Sequence, residues 1–177
     1  MLIVLGGLPA TGRTTLARLL AARTDAVHLR IDTIEQALVR AGVAEHPVGP
    51  AGYVVGYALA EEQLRQGLTV IAESVNPPAV TRDAWRGTAV RAGVPVVEAE
   101  VVCSDRAEHR RRVRTRTVDV PGLPLPGWAE VTGRRYEPWN RAHVVVDTAG
   151  RPPEEALAPL LAAPAPVADL RARRRDG

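Results

Sequence analysis

The densest chemistry in the sequence lies in nine consecutive residues. Gly7-Leu8-Pro9-Ala10-Thr11-Gly12-Arg13-Thr14-Thr15 matches the spacing GxxxxGK[ST] at every fixed position except the lysine, where Arg13 stands. The chemistry explains the spacing. Glycines let consecutive backbone N–H groups turn inward around phosphate oxygens, and a helix opening at Thr14 adds its partial positive charge. The Thr14 hydroxyl is placed to sit on Mg²⁺. A plain Gly-rich turn between strand and helix is the competing reading, but the motif follows a predicted strand and opens a predicted helix, which is the context it requires.

Arg13 is the departure that matters, because a lysine is a compact charge whereas arginine is longer, planar and suited to bidentate contacts. Either the site retains catalysis with adjusted geometry, or it binds nucleotide without turning it over. All 23 basic residues are Arg, so the substitution belongs to a chain-wide replacement rather than to a local change.

The elements that must position this loop follow from apolar patterning. Leu2 to Leu5 is a continuous apolar run of the kind buried on both faces of a parallel sheet. Thr14 to Arg23 is a helix by spacing, Val27 to Ile31 a second strand, and Asp32 or Thr33 caps a helix to about Arg40. A helix over 51–66 ends at Gly67, and Leu68 to Ala72 is a third strand. Asn76-Pro77-Pro78 starts a helix running to about Ala92, and Val94 to Val102 is a fourth strand. A basic helix spans 105–116, a Pro/Gly loop 121–127, a short helix 128–136, a fifth strand 144–146 and a closing helix 154–161. Strand and helix alternate throughout, which predicts an α/β fold: a five-stranded parallel sheet in three layers, with helices on both faces.

Composition bounds the rest. With 177 residues, 46% hydrophobic and 24% charged, the chain suits one folded domain over 1–162, with a lid around 105–127 and an Ala/Pro/Arg-rich tail over 163–177 expected to be disordered. The lone Cys103 excludes a thiolate metal cluster, and the first apolar run is too short for a signal peptide or membrane span, so a cytoplasmic location without membrane contact is expected. Net charge is +3, and much of it is local: residues 105–116 carry six Arg against Asp105 and Glu108. Three Trp and three Tyr are few platforms for a nucleic-acid partner, which is not favoured.

The order of motifs resembles the small P-loop kinases of the adenylate, shikimate and gluconate kinase type, and particularly chloramphenicol phosphotransferase and polynucleotide kinase domains. The likeness covers about residues 1–160, and its specific motif is the phosphate loop. It implies that Asp32, directly after the second strand, is the general base for an acceptor hydroxyl, since a carboxylate at a strand's C-terminal edge faces the same crevice as the loop. Asp32 as an ordinary helix cap is the alternative, and the two are compatible. It also implies that Glu73, ending the third strand, orients Mg²⁺, its water or the substrate with help from Ser74 and Asn76; pairing with a neighbouring Arg is the plainer reading. Arg112 and Arg116, four apart, correspond to lid arginines closing on the γ-phosphate. A solvated charge run or a surface for an acidic partner competes with that. The turn at Asp147-Thr148-Ala149-Gly150 takes the place where backbone passes beside adenine, or is a simple turn.

Tyr53, Tyr57 and Glu61 recur at helical spacing, so they are either core packing or acceptor recognition. Trp128, Arg134, Arg135, Tyr136 and Trp139 either shape an acceptor pocket or anchor the Pro/Gly loop. His28, His46 and His143 have no metal-ligand spacing and receive no role. These readings converge on an ATP- and Mg²⁺-dependent phosphotransferase acting on a hydroxyl of a small molecule. The competing expectations are a nucleotide-binding module that switches a protein partner, and an ATPase.

Overall fold

The computed structural model describes residues 1–162, so the 163–177 tail lies outside the described residues. In chain order the elements are β1 (Leu2–Gly6), α1 (Arg13–Thr24), β2 (Val27–Arg30), α2 (Ile31–Arg40), α3 (Ala51–Arg65), β3 (Val70–Glu73) and α4 (Ala79–Arg91). β4 (Val96–Val102), α5 (Arg106–Thr115), α6 (Trp128–Gly133), β5 (Val144–Asp147), α7 (Pro153–Ala156) and α8 (Ala158–Leu161) complete it.

The strands form one parallel sheet in the order β2-β3-β1-β4-β5. β1 is central, which is why its sequence shows no polar alternation: every residue from Leu2 to Gly6 is buried. Its side chains point alternately to two cores. Ile3 and Leu5 pack with Leu16 and Leu20 of α1 and with Leu157 and Leu160, while Leu2 and Val4 pack with Ala60 and Leu64 of α3 and Trp85 of α4. The expected three-layer α/β architecture is the one observed. Truncating Trp85, which is fully buried, would cost about 3–5 kcal/mol.

Boundaries differ from expectation for identifiable reasons. β3 begins at Val70 rather than Leu68 because Gly67 adopts φ +84° and the Leu68 N–H returns to the Gln63 carbonyl (3.1 Å), closing α3. The same closure, from the Val94 N–H to the Ala89 carbonyl (3.0 Å), delays β4 to Val96. Ile31 belongs to α2 rather than to β2, so the cap position is Arg30 and neither Asp32 nor Thr33 caps. Asp32 instead occupies the first turn, where a carboxylate complements the helix dipole. α6 stops at Gly133, short of Tyr136. The closing helix is split in two, because Pro159 has no N–H to continue the ladder.

Candidate active site

The segment after β1 folds back on itself through three left-handed residues, Gly7 (φ +135°), Ala10 (φ +65°) and Gly12 (φ +97°). Gly7 is required twice over: besides its torsion, a Cβ there would lie 2.2 Å from the Val101 carbonyl oxygen. α1 starts immediately afterwards, with no side-chain cap and no acidic residue in its first turn. Its free N–H groups and dipole therefore face the loop's concavity, which suits an anion. Thr11 folds its hydroxyl onto the Leu8 carbonyl (2.9 Å), and Thr15 is solvent-exposed.

Beneath the loop, Glu73 is fully buried at the end of β3, in register with Leu5 of β1 and Arg30 of β2. The Thr14 hydroxyl donates to its Oε1, and His28 Nε2 lies 2.8 Å from its Oε2. Arg13 Nε stands 3.5 Å and Arg30 Nε 3.9 Å from Oε1. Burial is the largest influence on this carboxyl and pushes its pKa up. The His28 hydrogen bond, the Arg13 charge, the Thr14 hydroxyl and the Arg30 charge together outweigh it, taking the value from 4.5 down to about 2. Glu73 is thus a carboxylate at any ordinary pH. Arg13 is itself buried, and its guanidinium donates to the Gly7 carbonyl inside the loop.

A cavity of about 870 Å³ runs outward from the loop. Pro9, Ala10, Gly12, Arg13, Thr14 and Thr15 of the loop line it, together with Asp32, Glu35 and Arg134, and with Arg112 and Arg116. Asp32 is held by its own neighbour, with Arg30 Nε 3.6 Å from its Oδ2. Arg112 donates through Nη1 to the Thr148 hydroxyl (2.8 Å) and through Nη2 to the Thr148 carbonyl (2.9 Å), and it pairs with Glu108 (2.7 Å). Thr148 in turn donates to the Thr11 carbonyl (2.7 Å), fastening the end of β5 to the loop. Arg116 sits just past α5 in extended backbone and donates to the Pro126 carbonyl (2.7 Å). The two arginines therefore do not share a helix face, although both reach the cavity. Gly150 gives its N–H to Glu108 (2.9 Å) in the turn after β5.

Three expected substrate groups are turned elsewhere. The Tyr53 hydroxyl accepts from the Asn76 N–H (3.2 Å), Tyr57 donates to the Thr81 carbonyl (3.2 Å), and both rings pack in the core that holds Trp85. Burial raises both phenol pKa values. Asn76, fully buried at φ +52°, accepts from the Trp85 indole (3.1 Å). These are packing and turn-forming roles, the first of the two readings of the tyrosine stripe. Trp139 likewise anchors: it stacks on His143 and lies under the Arg82 guanidinium.

Other residues at the site had no role from sequence. Glu35 lies one turn beyond Asp32 on α2 and lines the same cavity. Burial first, then the Asp32 charge, raises its pKa to about 7 against the opposing charge of Arg134. Helical spacing from Asp32 could have flagged it. Asp119 could not be flagged that way: from just before the Pro/Gly loop it reaches Arg30 (2.7 Å) and Arg18 (2.8 Å), tethering this stretch to α1 and β2. His28 and His46 also acquire partners, Glu73 and Gln36, only through tertiary contact.

A parallel sheet, a left-handed glycine loop opening onto a helix, and a buried carboxylate beneath it define a nucleotide-binding P-loop kinase-like fold. The family model described as "AAA domain" matches residues 2–124, and the chain belongs to that family. Solved structures of the same fold include a gluconokinase from Sinorhizobium meliloti, at 17% identity and TM-score 0.63, covering 98% of this chain and 94% of that one. Mycobacterium tuberculosis APS kinase in complex with AMPPNP and APS is similar at 16% identity and TM-score 0.64, over 96% and 95%. Chaetomium thermophilum Kti12 in complex with ADP-AlF3 is similar at 22% identity and TM-score 0.63, over 99% and 98%. No curated protein matches the sequence. Among the described residues no helix is long and apolar enough to cross a membrane.

Proposed function

We propose that the protein transfers the γ-phosphoryl group of Mg·ATP to a hydroxyl of a small molecule. The observation that carries this reading is one cavity lined by both the phosphate loop and Asp32. The loop N–H groups and the α1 terminus would hold the phosphates. Arg112 and Arg116, facing the same space, would neutralise charge that develops on the phosphoryl oxygens. Asp32 would accept the proton of the attacking hydroxyl. Thr14 and Glu73, a hydroxyl and an ionised carboxylate already in contact, are the oxygen donors that Mg²⁺ prefers, with the remaining positions left to phosphates and water. Bound Mg²⁺ supplies neutralisation of the phosphate oxygens. The cavity volume suits a small acceptor rather than a polymer.

The test is phosphoryl transfer from ATP across a panel of hydroxylated compounds. Asp32→Asn should lower kcat by roughly 10²- to 10⁴-fold while leaving the nucleotide Kd unchanged. Undiminished transfer in that variant refutes the assignment of the base.

A second reading, nucleotide binding without transfer, is supported by the Arg13 guanidinium, which is bound back onto the Gly7 carbonyl and the Glu73 carboxylate. It predicts tight ADP binding, no acceptor-stimulated loss of γ-phosphate, and no gain in Arg13→Lys. An ATPase would instead hydrolyse ATP without an acceptor and would respond more to Glu73→Gln than to Asp32→Asn.

A further inference from the structure

A second groove, of about 840 Å³, lies on the outer side of α5, and no residue lines both it and the main cavity. It is lined by Arg106, Arg110, Arg111, Arg114, Thr115 and Trp128, together with Ala107. Arg106, Arg110 and Arg114 recur every four residues, forming one stripe with successive charges ~6 Å apart along the helix. All four arginines are exposed.

Charge on this face is uncompensated because the nearby acids are committed elsewhere. Asp105 caps α5, accepting from the N–H groups of Ala107 (2.8 Å) and Glu108 (3.0 Å). Glu108 holds Arg112 on the inner side and accepts from the Gly150 N–H, reaching Arg111 only at 3.8 Å. Among the described residues Arg110 and Arg114 make no ion pair. The one aromatic in the groove is Trp128, packed edge-on against His109 with the Arg106 guanidinium 6.0 Å from its ring. Trp128 remains partly open to solvent.

We propose that this groove binds single-stranded nucleic acid, the arginine stripe tracking successive phosphates and the Trp128 indole stacking a base. Over the whole chain the few aromatic residues count against such a partner, but composition carries no placement. Here one indole stands beside four arginines. Guanidiniums are suited to phosphate, and a cationic groove with an aromatic platform is how single strands are held without sequence readout. An acidic protein segment would satisfy the charge but leave the indole unused, which is why the strand is favoured.

The experiment is fluorescence anisotropy of a labelled oligo-uridine titrated with the full chain at several salt concentrations. Arg110→Ala combined with Arg114→Ala should weaken binding at least tenfold and flatten the log–log salt slope by about 1.4, that is ~0.7 for each single-strand phosphate that an arginine no longer neutralises. Trp128→Leu should weaken it about tenfold while changing the salt slope little. Arg23→Ala combined with Arg40→Ala, which removes the same charge elsewhere, should leave binding within twofold, and nucleotide binding measured on every variant separates loss of the groove from loss of fold. Several outcomes overturn the proposal: no binding at low salt, equal losses in the two double variants, or loss only when the arginines of 171–175 are replaced. Equally tight binding of inorganic polyphosphate or polyglutamate, insensitive to Trp128→Leu, would reduce the groove to a charge patch and also overturn it.

Discussion

At the loop end of the main cavity the charged side chains sit close together and are paired: Glu73 takes Thr14, His28, Arg13 and Arg30, and Arg112 takes Glu108 and Thr148. Where α2 lines the same cavity, Glu35 has no hydrogen bond or ion pair among the described residues, and the nearby segment is held by Asp119 on Arg18 and Arg30 and by Gly122 against Gln36. Pairing at the loop end builds a fixed shape before any ligand arrives, which is what a site for an invariant group such as phosphate needs. On the α2 side Asp32 is paired with Arg30, and Glu35 is the carboxyl left for whatever enters. If the proposed transfer is right, this difference would locate specificity: the paired loop side would read what is common to all nucleotides, and Asp32, Glu35 and Arg134 would read what distinguishes one acceptor from another.

The sharpest way to break this contrast is Glu73→Gln. Removing one member of a buried ionic cluster strands its partners, so the variant should lose about 3–5 kcal/mol of stability at pH 7 in urea unfolding. Because the folded pKa is depressed, this stabilisation is present above about pH 4.5 and is lost as pH falls toward 2. Wild type and variant should therefore converge between pH 5 and pH 2; a gap that stays constant with pH would show that the charge of Glu73 is not what matters.

At Glu35 the sign reverses, and the effect is smaller. The folded-state pKa of Glu35 is raised, so ionising it opposes folding: nothing is lost below about pH 4.5, and the cost grows as pH rises through 7. Glu35→Gln should raise Tm at pH 8 and leave it unchanged at pH 4. A variant destabilised at pH 8 would mean that Glu35 is paired after all, and the contrast between the two ends would fail.

The smallest expected effect is on the tether. Asp119→Asn weakens contacts of a partly exposed carboxylate to Arg18 and Arg30, so global stability should change by only about 1 kcal/mol. Amide hydrogen exchange over 117–127 should nonetheless quicken severalfold, since those two arginines are its anchors to α1 and β2. Unchanged exchange there would show that packing of Gly122 and Pro126, rather than Asp119, holds the segment.

The same contrast explains what could be read from the sequence. The phosphate loop was legible because it is made of torsions and spacing: glycines at fixed intervals and a helix start are local facts. The sheet was legible because a doubly covered strand such as Leu2–Leu5 cannot hide its apolar run. Asp32 and Glu73 were legible as strand-end carboxylates, and the structure puts one in the cavity and the other under the loop. What escaped depends on chain segments far apart in sequence. His28 matters only because β2 lies beside β3, Asp119 only because the stretch before the Pro/Gly loop folds back beside α1 and β2. Tyr53 and Tyr57 show the converse: their helical stripe was visible, yet it could not say that Trp85 waits on the same side.

Thr148 carries a consequence of its own. Its hydroxyl has one hydrogen but two carbonyls in range, Thr11 at 2.7 Å and Val102 at 3.1 Å, and the Val102 oxygen already receives the Thr148 N–H at 3.0 Å. The hydrogen therefore rests on Thr11, while the lone pair it leaves behind is taken by Arg112. In mechanical language the hydroxyl is a rotor with two stops, and the arginine of α5 is the pawl that keeps it on the loop's stop. Withdrawing the pawl would free the rotor to turn from Thr11 toward Val102, while α5 would still touch the loop through His109 and the Pro9 carbonyl.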